Sequence, residues 1–274
     1  MADTPASHTR ASDAGLVVAH LSVTLGHRRV VNEVGFTAAL GQITVLLGPN
    51  GAGKSTVLKA VAGVLPYQGQ IRFGTVDAAS LDPRARARRV AYVPQVSALD
   101  APMPVREVVA QGRFACGEGI SLLPAWWRGP RADDVQSIQS ALERTDTVAL
   151  ADRTYSQLSH GERRRVLIAR ALASGAGVLL LDEPTAALDV GHALGLLSVL
   201  RQVAAEGKAV VMVLHQLQEA AAVAHHVVLL QRGEVVHAGS PADVITQAPV
   251  RAVYGVDLIP EGQFACRLPE GRHS

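Results

Sequence analysis

The chain has 274 residues, 48% of them hydrophobic, enough to bury one large core or two small ones, which excludes a disordered polymer. Its 26 lysines and arginines stand against 24 aspartates and glutamates, so a net charge of +2 gives no field on which to argue for a nucleic-acid partner. Two cysteines, Cys116 and Cys266, lie far apart with no Cys-x-x-Cys pattern around either, which excludes a disulfide framework and a zinc ribbon and fits a reducing cytoplasm.

Residues 1–15 mix small and polar side chains and lack the apolar stretch of a secretory signal, so a flexible leading segment is expected. Residues 16–23 and 43–47 are apolar and β-branched and read as strands. Residues 54–65 carry apolar side chains at helical spacing up to Pro66, which predicts a strand, loop and helix in succession. The runs 90–93, 178–181 and 209–214 are short and continuously apolar, as in strands buried on both faces of a parallel sheet. None approaches the roughly 18 apolar residues of a membrane span, and a soluble, unexported chain is expected.

Between them lies a stretch of different composition, predicted to hold helices over 105–112 and 132–147, the second with Val135, Ile138 and Leu142 on one face. Helices over 162–173 and 192–205 then alternate with strands, the pattern of a doubly wound α/β sheet. Residues 227–231 and 234–237 flank Arg232-Gly233 as a hairpin, and Ser240-Pro241 is an N-cap and first-turn pair that opens a last helix.

Three segments carry chemistry. Gly48-Pro49-Asn50-Gly51-Ala52-Gly53-Lys54-Ser55, with Thr56 next, fits G-x-x-x-x-G-K-[ST] between a predicted strand and a predicted helix. Glycines there let backbone N–H groups turn inward around phosphate oxygens, the helix presents its positive end, and Lys54 adds a point charge; Ser55 is the expected Mg²⁺ ligand. A Gly-rich turn with a surface lysine is the plain alternative. The strand 178–181 ends in Asp182-Glu183: Asp182 is expected to hold Mg²⁺, and Glu183 to polarise the water that attacks the γ phosphate, against the alternative of a simple acidic turn.

The third segment, Leu158-Ser159-His160-Gly161-Glu162, resembles the LSGGQ signature of ABC transporter ATPases. Gln95 in Tyr92-Val93-Pro94-Gln95 resembles that family's Q-loop, Ala187-Leu188-Asp189 its D-loop, and His215 its switch histidine, in the family's order. A histidine after an apolar strand is otherwise more often structural. The resemblance covers roughly residues 16–255, leaving a tail at 256–274. It implies a P-loop NTPase fold of the ABC type: a mainly parallel sheet core, an antiparallel β subdomain and a helical subdomain at about 96–174. It further implies an ATPase that uses ATP and Mg²⁺, with Gln95 as an additional metal ligand, and that works as a head-to-tail dimer in which Ser159, Gly161, Glu162 and Asp189 meet the partner's nucleotide. Membrane permease subunits, an indirect substrate-binding protein, no nucleic acid, and a peripheral place on the cytoplasmic face of the membrane complete the expectation.

The sequence departs from the family pattern in places. His160 replaces a glycine and Glu162 a glutamine in the signature, and Leu25 aligns where an aromatic usually stacks on adenine, which predicts weak base selectivity; His27 is a possible substitute but reads better as an exposed turn residue. Pro104-Val105-Arg106-Glu107-Val108-Val109-Ala110-Gln111-Gly112-Arg113-Phe114 and the ending Val253-Tyr254-Gly255-Val256 resemble the ATPases of iron-siderophore, haem and cobalamin importers. Manganese or zinc import is the next reading, followed by a non-transport ABC protein or a regulatory subunit that no longer hydrolyses; a GTPase is disfavoured because no [NT]-K-x-D motif is present. The basic run 83–89 is expected to be a solvated face rather than a nucleic-acid or lipid site, and Trp126-Trp127 either a local cluster or a permease contact.

Overall fold

A β-hairpin opens the structure, a computed structural model that describes residues 14–96, 102–116, 132–186 and 188–256. The Trp126-Trp127 pair, Ala187, Cys266 and nearly all of both terminal segments lie outside the described residues. In chain order the elements are β1 (Ala14–Leu25), β2 (Arg28–Ala39), β3 (Ile43–Leu47), α1 (Lys54–Val61), β4 (Gln68–Phe73), β5 (Val76–Asp77), α2 (Pro83–Ala87) and β6 (Val90–Val93). Then follow α3 (Val105–Ala110), α4 (Ala132–Arg144), α5 (His160–Ala173), β7 (Val178–Asp182), α6 (Val190–Ala205), β8 (Ala209–Val213) and α7 (Leu217–Val223). The last are β9 (His226–Gln231), β10 (Glu234–Gly239), α8 (Pro241–Val244) and α9 (Gln247–Tyr254).

The strands form two sheets, β2-β1-β4-β5, antiparallel throughout, and β10-β9-β3-β8-β7-β6, parallel except for the β9–β10 hairpin. Every residue of β3, β7 and β8 is buried, which accounts for their apolar runs, interrupted only by Thr44 and ended by Asp182. Successive side chains point to opposite faces: Ile43, Val45, Leu47, Leu179 and Leu181 enter a core with α3 to α7, whereas Leu46, Leu180, Val211 and Val228 enter a second core with α1 and the antiparallel sheet. A polar residue here costs stability unless it has a partner of its own, as Asp182 has in Ser55 and Tyr92 at the end of β7, so the covered faces hold these strands almost wholly apolar.

Element boundaries differ from the sequence expectation for identifiable reasons. The first helix stops at Val61 rather than 65, because Gly63 turns left-handed at φ +78 and the Val64 N–H returns to the Lys59 carbonyl. Helix α4 stops at Arg144 rather than 147: Asp146 is left-handed, and the Thr145 and Thr147 hydroxyls bond back to the last-turn carbonyls. Helices α5 and α6 start two residues early, each capped by the side chain before it, Ser159 and Asp189. The segment 105–112 is a six-residue helix followed by a 3₁₀ turn, Gln111–Arg113, and the final helix is two, α8 and α9. Strands β2 and β4, absent from the sequence reading, bury one face (Val31, Val34, Phe36; Ile71, Phe73), with the alternation shifted at Glu33, which is left-handed at φ +52, and carry polar residues between.

Candidate functional site

The carboxyl ends of β3, β7 and β8 place three segments side by side, as ligand sites in such sheets require. The loop from β3 to α1 begins at Gly48, with φ +144; a Cβ there would lie 2.1 Å from the Leu230 carbonyl oxygen, so only glycine fits. Gly53, at φ +97, caps α1 without any side-chain bond, leaving the first-turn N–H groups to an outside acceptor. Lys54 is 5% exposed. Its ammonium donates to the carbonyls of Gly48 at 2.7 Å and Pro49 at 3.0 Å, which uses two of its three protons and leaves the third for an anion. Burial pulls its pKa down, opposed by the charges of Glu183 and Asp182.

Ser55 Oγ donates to the Asp182 carboxylate at 2.8 Å, and the Tyr92 hydroxyl to its other oxygen at 3.4 Å. Burial raises the Asp182 pKa, against the lowering effect of the Ser55 bond; burial also raises that of Tyr92, with the Asp182 charge adding to it. Both hydroxyls are thus neutral donors to a buried carboxylate. Glu183 sits at φ +53, a left-handed conformation uncommon for a residue with a side chain and a mark of functional turns. Its carboxylate receives the Gln95 amide at 2.7 Å on one oxygen and meets His215 Nε2 at 2.5 Å on the other. Residues separated by 88 and 32 positions therefore meet on one carboxylate.

Of the residues expected at the site, the structure brings together the loop 48–56, Asp182, Glu183, Gln95 and His215. Ser159, Gly161, Glu162 and Asp189 stand apart and serve as helix starts. Ser159 Oγ accepts from the Glu162 N–H at 3.3 Å, while Glu162 accepts from the Ser159 N–H at 2.8 Å and from Arg153 at 3.1 Å. Asp189 accepts from the His192 N–H at 2.9 Å.

Sequence reasoning passed over three contributors. Arg164, 4% exposed, reaches from α5 to the carbonyls of Pro94 and Asp182, and more weakly to those of Gln95 and Pro184, tying the segment of Gln95 to the strand of Glu183. Its signal was legible, since it shares a helix face with Leu167 and Ile168 at spacings of three and four, a charge on an apolar stripe. Tyr92 gave only the ambiguous signal of a strand aromatic. Tyr254, whose hydroxyl accepts from the Gly48 N–H at 2.8 Å, gave none locally.

With this geometry in hand, known proteins can be compared. A model of the ABC transporter family matches residues 31–186. A hemin import ATP-binding protein of Rhodococcus jostii is 40% identical over 237 residues, 86% of this chain and 78% of its own length. A cobalamin import ATP-binding protein of Halobacterium salinarum is 39% identical over 241 residues, 87% of this chain and 58% of its own length. Among solved structures, an inward-facing metal-chelate type ABC transporter superposes with a TM-score of 0.75 at 28% identity, over 89% of this chain and 90% of that one.

Proposed function

The chain belongs to the ABC transporter family and is an ATPase, and we propose that it energises import of hemin or a related chelate, cobalamin or an iron-siderophore, through a membrane permease. The observation that carries the hydrolytic part is the Glu183 carboxylate, oriented by Gln95 and His215 and close enough to the lysine of the phosphate loop to act on its charge. The cargo class rests on the relatives named for hemin and cobalamin import and on the segments around Arg106 and Tyr254.

The N–H groups of Asn50, Gly51 and Gly53 and of the first turn of α1, Lys54 to Thr56, wrap the phosphates of ATP, those of Gly48 and Ala52 being used by Tyr254 and the Pro49 carbonyl, and the free proton of Lys54 meets a β or γ oxygen. Ser55 and Asp182, already in contact, suit a Mg²⁺ ion that takes few protein ligands and keeps its remaining positions for phosphate and water. The side-chain Oε1 of Gln95 stays available to the same ion, because Glu183 engages only the Nε2 of that side chain. Bound Mg²⁺ neutralises charge on the phosphate oxygens. Glu183 orients a water and accepts its proton, and His215, whose Nε2 meets the far oxygen of that carboxylate, would leave it to donate to the γ phosphate once ATP is bound.

In a head-to-tail pair of copies, the starts of α5 and α6 present Ser159, Gly161, Glu162 and Asp189 to the partner's nucleotide. Among the described residues no helix is long and apolar enough to cross a membrane, in keeping with a peripheral subunit bound to a permease on the cytoplasmic face, with a substrate-binding protein acting upstream. The test uses cells lacking the gene, complemented with wild type or Glu183→Gln and given labelled hemin, cobalamin or a ferric siderophore. Rescue of one cargo by wild type alone is the expected result. Equal uptake of all three in every strain overturns the cargo class. Glu183→Gln should also cut the ATPase rate of the purified protein by about a hundredfold or more while ATP binding persists, and wild-type hydrolysis would remove Glu183 from its role.

A further inference from the structure

Gly48 is the residue on which the phosphate loop turns, and it is held on every side. A Cβ on it would strike the Leu230 carbonyl at the end of β9. Its carbonyl oxygen accepts from Lys54 at 2.7 Å. Its N–H donates to the hydroxyl of Tyr254 at 2.8 Å, the last residue of α9 and 206 positions away.

Helix α9 is itself firmly placed. Pro249, Val250 and Val253 are buried, Gly255 closes the helix in a left-handed conformation with its N–H on the Arg251 carbonyl, and the Gln231 amide at the end of β9 reaches the Val253 carbonyl at 3.5 Å. The Tyr254 ring is half-buried, and burial raises the pKa of its hydroxyl, so it stays protonated through the neutral range. One amide and one carbonyl of a single glycine thus connect α9 to the lysine that meets the phosphates. Without the hydroxyl, the Gly48 N–H would lose its acceptor, the Leu47–Gly48 peptide would be free to turn, and the next peptide, whose Gly48 carbonyl aims Lys54, would lose the fixed neighbour that sets its direction.

We propose that Tyr254 is a positioning residue for nucleotide binding: through the Gly48 N–H it fixes the first peptide of the phosphate loop and thereby the reach of Lys54, making the C-terminal helix part of the ATP site. The proposal rests on the assignment of residues 48–55 as the phosphate site. It concerns affinity rather than chemistry, since Glu183, Gln95 and His215 lie on the other side of β3, toward β7 and β8.

The experiment compares wild type, Tyr254→Phe, Tyr254→Leu and Lys54→Ala for equilibrium binding of ATP and for KM and kcat. Tyr254→Phe keeps the ring and loses only the acceptor, so binding should weaken about fivefold, the factor for one lost hydrogen bond of ordinary strength, with KM rising in step and kcat within about twofold; Tyr254→Leu should match it. If the ring alone matters, Tyr254→Phe binds as wild type, only Tyr254→Leu is impaired, and the proposal fails. If Lys54→Ala binds ATP as wild type does, the phosphate-site assignment itself is wrong, a different failure from a normal Tyr254→Phe beside an impaired Lys54→Ala. Should the tyrosine variants not fold, amide hydrogen exchange in the unmodified chain decides: the Gly48 N–H should be as protected as those of β3, and rapid exchange there overturns the anchoring.

Discussion

Replacing Arg164 by methionine tests how the site is assembled. The guanidinium makes two close contacts, to the carbonyls of Pro94 and Asp182, and two long ones, to Pro184 at 3.4 Å and Gln95 at 3.5 Å. Bonds from a charged donor contribute about 1.5–3 kcal/mol each, so the two close ones supply on the order of 3–6 kcal/mol. Against that stands the burial of the cation, which lowers its pKa and is offset in part by the charges of Asp182 and Glu183. A net loss of about 3 kcal/mol follows, in line with removing one partner from a buried charged network. For a chain of this size that is roughly 6–12 °C in melting temperature. Lysine keeps the charge but not the planar fork, so Arg164→Lys should recover less than half of the loss. Thermal unfolding reads the stability and steady-state ATPase assays read the site: kcat should fall more than KM rises, because Gln95 and Glu183 lose their common tie while the phosphate loop keeps its own. A methionine variant melting within about 2 °C of wild type, with kcat intact, would refute the reasoning.

Three further outcomes follow from the same geometry. Burial raises the Asp182 pKa above its unfolded value, so its ionised form costs stability at neutral pH, and that cost fades as pH falls through the folded pKa toward the lower unfolded one; Asp182→Asn should therefore raise the melting temperature near neutrality and flatten its acid dependence, while abolishing the benefit of Mg²⁺ to ATP binding. Gly48→Ala places a Cβ 2.1 Å from the Leu230 carbonyl at a left-handed φ, so ATP binding measured by calorimetry should be lost together with about 2 kcal/mol or more of stability. Gly112→Ala drives a Cβ to 2.2 Å from the Arg170 carbonyl where the turn after α3 crosses α5, and should lower stability comparably while the affinity for ATP, set at the loop 48–56, stays unchanged.

The parts of the molecule that were legible in the sequence share one property: their signal is contiguous. The phosphate loop is eight consecutive residues, the strand β7 with Glu183 after it six, and the core strands are nearly continuous apolar runs because both faces of the main sheet are covered. Antiparallel β2 and β4 were lost because one face is wet and polar residues interrupt the pattern. Helix ends moved by a few residues wherever a left-handed residue, as at Gly63 and Asp146, or a side-chain cap, as at Ser159 and Asp189, outweighed hydrophobic spacing. Gln95 and His215 were placed by family resemblance rather than by any local pattern. Tyr254 meets Gly48 only after the whole chain has folded, and nothing near either residue announces the contact.

The start of α5 shows how a departure from the signature pattern is absorbed. A glutamate at its third position sets a negative charge where the proposed dimer would bring a partner's phosphate. The capping box turns that carboxylate back onto the Ser159 N–H at 2.8 Å, and the Arg153 guanidinium meets its other oxygen at 3.1 Å. The Ser159 bonds, with Arg153 adding charge, hold the Glu162 carboxyl below the usual carboxylate range, so it is ionised at neutral pH and already paired. The box uses the N–H groups of Ser159 and Glu162, and helix geometry leaves those of His160 and Gly161, the first two of α5, pointing out along its axis. In the proposed dimer, a phosphate at this end would meet the first-turn N–H groups of a fourteen-residue helix, its positive end and a carboxylate whose charge is locally balanced. The substitutions at 160 and 162 therefore leave the helix start without an unpaired negative charge, which is what the proposed contact with a partner's phosphate requires.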